Sequence, residues 1–64
     1  MSAPILYLVE KFLRRTHIPA TRFGRIVAKD PRLVHDMRNG REIGPSLRGR
    51  IEHFMNIYAE DRMI

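Results

Sequence analysis

Apolar residues fall at helical spacing in four stretches of the chain, with short breaks marked by proline, glycine and polar residues between them. In the first, from about Pro4 to Thr16, Ile5, Leu8, Val9, Phe12 and Leu13 recur at i, i+3, i+4, i+7 and i+8 and draw one stripe along a helix. Ser2 suits the N-cap and Pro4 the first turn, where its missing N–H costs nothing. Glu10 and Arg14 stand at i, i+4 in the favourable order, Leu6 and Tyr7 lie off the stripe, and Arg14-Arg15 suit the negative end of the helix dipole. The second stretch, Ala20 to Ala28, follows Pro19 and turns Phe23, Ile26 and Val27 inward. Gly24 inside it costs about 0.5–1 kcal/mol relative to alanine, which points to another helix approaching closely there. The third opens at Asp30-Pro31, an N-cap before a proline at the first helical position, and stops at Asn39-Gly40. The fourth runs from Pro45-Ser46 to about Ala59 with Leu47, Ile51, Phe54, Met55 and Tyr58 on its stripe and Ile57 off it; Met63 and Ile64 follow as a short apolar tail. No stretch alternates with period two for long enough to make a strand, so the pattern predicts an all-α, four-helix chain forming one domain over residues 1–64.

A chain of this length buries only about 60% of the surface its unfolded form exposes, so its core is thin. Such domains lean on disulfides, a metal, close helix packing or a partner subunit. The chain has no cysteine, which excludes disulfides and thiolate zinc sites. His17, His35 and His53 lie in different segments, none with a second ligand at i, i+4, and no metal or other cofactor is expected. Helix packing and self-association remain. No apolar run is long enough to span a bilayer, and Glu10 and Lys11 close the apolar residues 4–9, so a cytoplasmic, nucleoid-associated protein without membrane contact is expected.

Charge then narrows the partner. Twelve Lys and Arg oppose seven Asp and Glu, a formal +5, and ten of the twelve are arginine. Arginine presents a rigid fork of donors that suits phosphates and guanine edges. The balance fits a polyanion partner, and equally a soluble basic surface. Nothing in the sequence suggests an enzyme: no nucleophile stands beside a base, no carboxylates pair, no phosphate loop is present, and there is little room for a pocket or a small-molecule ligand.

The second and third helices carry the informative arrangement. Two short helices joined by a tight turn make a helix-turn-helix unit. That unit needs a small residue where the helices meet (Gly24), a small residue at the turn (Ala28), and apolar residues closing the angle (Phe23, Val27, Val34 and Met37). The stretch from Ile18 to Arg41, IPATRFGRIVAKDPRLVHDMRNGR, resembles the lambda-repressor-like (XRE-type) helix-turn-helix proteins, short bacterial or phage regulators. The resemblance is carried by Thr21-Arg22-Phe23-Gly24-Arg25, Asp30-Pro31, Leu33-Val34 and Arg38-Asn39-Gly40-Arg41. It departs from the family at Pro19, where a Ser or Thr cap is usual, and at Ala28, where glycine is common, so Ala28 or Lys29 must take a less common backbone conformation. By resemblance, residues 31–39 form the recognition helix, and Asn39 matches a position that contacts the phosphate backbone.

At about 100° per residue, Leu33, Val34 and Met37 centre on one face of that helix, and Arg32, His35 and Asn39 on the opposite one, flanked by Asp36 and with Arg38 at the margin. Base contacts are expected from Arg32, forking onto guanine, from His35, which is otherwise a solvated bystander, and from Asp36, which accepts from cytosine or pairs with Arg32 at i, i+4. Backbone contacts are expected from Thr21, Arg22, Lys29, Arg38, Asn39 and Arg41, with Arg25 a weaker candidate; Arg48 and Arg50 either approach the backbone or point away. One recognition helix reads few base pairs, so a homodimer is expected, with Leu6, Ile57, Met63 and Ile64 as its interface or else as cover for the thin core. The reading is a sequence-specific double-stranded DNA-binding transcriptional regulator, a repressor. The alternatives are a non-specific, architectural DNA binder and an adaptor or antitoxin-like protein-interaction module on the same fold.

Overall fold

The computed structural model describes the backbone of residues 4–63 and the side chains of residues 4–58. Four helices follow one another: α1 (Ile5–Thr16), α2 (Ala20–Ala28), α3 (Leu33–Arg38) and α4 (Pro45–Met63), with no strand among the described residues. The fold is all-α. No described helix is long and apolar enough to cross a membrane.

Helix α2 packs most extensively on α3 and also on α4, while α1 lies against α3 and α4. Where they meet, Val9, Phe12, Leu13, Phe23, Val27, Leu33, Val34, Met37 and Ile51 form the core. Burying a side chain the size of Phe23 completely, as here, contributes about 1.5–3 kcal/mol. The rings of Phe12, Phe23, Phe54 and Tyr58 then knit α1, α2 and α4 together, with centroids 5.4–6.1 Å apart and edge-on or tilted contacts throughout. Such geometry sets a positive ring edge against a negative ring face.

Several expectations shift by a fraction of a helical turn. Pro4 is the N-cap of α1, extended at φ −57° and ψ 144°, rather than part of its first turn, and Ser2 lies outside the described residues. The buried arc of α1 centres on Val9, Phe12 and Leu13, which swings Leu6 onto the core and leaves Leu8 exposed. Ile26 is also a correction: it is 50% exposed, because Phe23, Gly24 and Val27 are the residues of α2 turned toward α3. Helix α4 extends beyond Ala59 to Met63, so Met63 continues the helix instead of belonging to a tail. Ile57 is exposed, off the stripe as the pattern requires.

Candidate nucleic-acid interface

The junction between α2 and α3 is set by Gly24, Lys29 and Asp30. A Cβ on Gly24 would fall on the Asp30 carbonyl oxygen and 3.1 Å from the Leu33 Cβ, so only glycine lets the turn sit this close to α2. Lys29 takes the left-handed conformation at φ 53° and ψ 33°, and its N–H closes α2 on the Arg25 carbonyl at 2.9 Å. Between the two candidates for the uncommon conformation, the chain uses Lys29. The Asp30 N–H then donates to the Gly24 carbonyl at 3.1 Å.

Asp30 also decides where α3 begins. Its carbonyl accepts the Leu33 N–H at 3.1 Å, and its Oδ1 accepts the Arg32 N–H at 3.0 Å. Pro31 and Arg32 are thereby held in a turn, and the first four-residue hydrogen bond of α3 runs from the Asp36 N–H to the Arg32 carbonyl at 2.8 Å. The expected helix over residues 31–39 therefore contracts to Leu33–Arg38, with Arg32 at its N-cap. Asn39 and Gly40 stop it as anticipated, Gly40 at φ 100°. Leu33, Val34 and Met37 are buried, while Arg32, His35 and Asn39 are exposed.

The cations around this face fall into two sets. Arg38 donates two charge-assisted hydrogen bonds of 2.7 Å to the two oxygens of Glu10, tying α3 to α1. Arg41 reaches Asp30 at 2.8 Å and Asp36 at 3.4 Å. These bonds hold the carboxyls of Glu10 and Asp30 below their ordinary range: Glu10 by the Arg38 hydrogen bond, Asp30 by the Arg41 hydrogen bond and then the Arg32 amide. The same bonds raise the guanidinium pKa of Arg38 and Arg41. By contrast, the side chains of Arg22, Arg25, Lys29 and Arg32 are exposed and make no ion pair among the described residues.

Two pairings expected from helical spacing are replaced. Glu10 bonds Arg38 across helices rather than Arg14, and Asp36 pairs with Arg41 rather than Arg32. The first replacement comes from the approach of α3 to α1, the second from the chain turning back on itself after α3, where the Arg41 N–H donates to the Asp36 carbonyl at 2.9 Å. Arg38 and Arg41, expected as backbone contacts, are thus engaged within the chain. Asn39 also turns onto its own helix: its Nδ2 donates to the His35 carbonyl at 3.0 Å and lies 3.2 Å from His35 Nε2. The Asn39 amide thereby lies against one ring nitrogen of His35.

Thr21 and Arg22 are exposed in the first turn of α2, whose N-cap Pro19 supplies no side-chain cap. The first amide of this turn to bond is that of Phe23, to the Pro19 carbonyl at 3.0 Å. The amides of Ala20, Thr21 and Arg22 are left facing the positive end of the helix dipole, the arrangement that receives an anionic oxygen elsewhere in proteins. The free guanidinium of Arg32 and the amine of Lys29 can each bind phosphate, and Arg32 can fork onto a base edge.

Two of the four expected self-association residues have described side chains. Leu6 packs against the core, Ile57 is exposed on α4, and the side chains of Met63 and Ile64 lie outside the described residues. Sequence reasoning missed Glu10 as the partner of Arg38, since 28 positions separate them and no local signal links them. It also missed a groove of about 590 Å³ between α2 and α4, signalled in retrospect by Ile26 and Ile57, both off the buried faces. Compared with known proteins, the chain matches no family model, no curated protein and no solved structure.

Proposed function

We propose that this chain is a sequence-specific double-stranded DNA-binding protein of the lambda-repressor-like helix-turn-helix type, acting as a small transcriptional repressor. The observation that carries the reading is the face of α3: three apolar residues hold it to the core while Arg32 and His35 stay exposed, and Lys29 and Arg22 on the preceding turn and helix are exposed and make no ion pair among the described residues. A helix docked this way offers base-reading donors at its N-terminal end and phosphate-binding groups on the helix and turn that precede it.

In this reading Arg32 forks onto a guanine and His35 donates to a guanine or meets a thymine methyl. Asp36, already held by Arg41, keeps one oxygen environment fixed and contributes to preference at a cytosine. Thr21, Arg22 and Lys29 contact phosphates; Arg38, Arg41 and Asn39 direct their side-chain donors within the chain and hold the recognition helix in place. Binding as a homodimer on a two-fold site supplies the second recognition helix.

The test is an unbiased selection of binding sites from a random duplex library, followed by titration of the selected and a shuffled duplex at several salt concentrations. A short palindrome bound at least about a thousandfold more tightly than the shuffled duplex is expected. Equal affinity for both would assign the protein to architectural binding, and absence of binding at low salt would remove DNA as its partner.

A further inference from the structure

The groove between α2 and α4 is separate from the exposed face of α3 and unexplained by it. Its apolar wall is Ile26, Phe54 and Ile57, with Ile26 50% and Ile57 42% exposed. Its polar wall is Lys29, Arg50 and His53, and no carboxylate lines it among the described residues. Every salt bridge among the described residues lies elsewhere, on Glu10, Asp30, Asp36 and Glu52, so Lys29 and Arg50 make no ion pair among the described residues.

We propose that this groove docks an acidic amphipathic helical segment of a partner protein, with aliphatic residues on one face and Asp or Glu along its edges. An apolar groove walled by residues of two helices suits a helix laid along it, anchored by residues at i, i+3, i+4 and i+7. The cationic rim selects the charge of that helix. A second copy of the chain fits poorly: a two-fold contact would set Lys29, Arg50 and His53 of both copies against one another, in a chain of formal charge +5. Nucleic acid fits poorly as well, because phosphates take the cations but leave Ile26 and Ile57 in water. Lys29 stands both in this groove and at the turn before α3, so an occupied groove competes for a cation beside the α3 face.

The experiment uses the full chain without DNA and a fluorescein-labelled synthetic helix with leucine at i, i+3, i+4 and i+7 and glutamate on its remaining surface. Two further peptides serve as comparators: one with lysine in place of glutamate, one with the acidic composition scrambled. Anisotropy should report binding of the acidic helix alone, and amide chemical shifts should move at Ile26, Lys29, Arg50, His53 and Ile57. Arg50→Glu and Ile57→Ser should each weaken binding about tenfold or more. Thermal melts check folding; if Ile57→Ser proves unstable, the exposed Arg50→Glu decides. Equal binding of the scrambled peptide, shifts confined to α3, or no binding would overturn the proposal. So would a concentration-dependent dimer in sedimentation that Ile57→Ser dissolves, which would give the groove to a second copy. None of these outcomes depends on DNA binding, so the two readings fail separately.

Discussion

Arg38 and Arg41 at the end of α3, and Arg22, Lys29 and Arg32 ahead of its first residue, carry the same charge in opposite circumstances. The first pair is bonded to Glu10, Asp30 and Asp36; the second set makes no ion pair among the described residues. A guanidinium already in a bidentate pair must break two short bonds before it meets a phosphate, whereas an unpaired one sheds only water and counterions. Net charge therefore overstates what this surface offers a polyanion. The bonded cations fix the helix, and the unbonded ones remain for a ligand.

Both sets hang on the turn after α2, so the largest expected effect is there. Gly24→Ala forces its methyl onto the Asp30 carbonyl and should destabilise the chain by about 2–3 kcal/mol in urea unfolding, with the contrast between the two sets lost along with the turn. A change below about 0.5 kcal/mol would mean that the turn relaxes freely. Next, Arg32→Ala should cost about 1–3 kcal/mol on a selected duplex and less on a shuffled one. Equal losses on both would move Arg32 from base reading to phosphate binding.

Lys29→Gly separates stability from binding. It relieves the left-handed strain and should raise stability by about 1 kcal/mol, while lowering DNA affinity and reducing the salt slope by about one unit. Smallest is Arg38→Ala, which should cost about 0.5–1 kcal/mol of stability, given its half-exposed site, and leave the salt slope unchanged. A slope change matching that of Arg22→Ala would erase the distinction between bonded and unbonded cations. The Arg38 effect is also pH-dependent. Because folding lowers the Glu10 pKa, the bond contributes fully above the ordinary value of 4.5 and is lost as pH falls through the lower folded value. Melting temperatures of the parent and Arg38→Ala should therefore converge in acid.

Local signals in the sequence located α2 to the residue, the Asn39-Gly40 stop and the buried trio Leu33, Val34 and Met37, because period and cap chemistry act within a turn or two. They placed the start of α3 two residues early. Asp30-Pro31 reads as a helix opening, yet the Asp30 carbonyl is pinned by its closeness to Gly24 and bonds Leu33 in a tighter turn. Ile26 and Leu8 were misassigned for a related reason: on a short helix the stripe is wider than the contact, and the neighbour's position decides which edge is covered. The candidate site was legible in its exposed face, through Arg32, His35 and Asn39. Its electrostatics were not, since Glu10–Arg38 depends on the approach of α1 to α3, and Asp30–Arg41 on how the segments before and after α3 come together, rather than on helical spacing.

The ring cluster has a practical consequence. With no tryptophan and only two tyrosines, Tyr7 and Tyr58, the near-ultraviolet spectrum of this chain is simple to partition. Tyr7 is 53% exposed, whereas Tyr58 meets Phe12 edge-on at 5.4 Å. Asymmetric dichroic bands should come chiefly from Tyr58 and its phenylalanine neighbours, and should vanish when α4 separates from α1 even while helical content persists. The molecule thus carries an intrinsic optical gauge of tertiary packing, with Tyr7 as its internal reference for solvent.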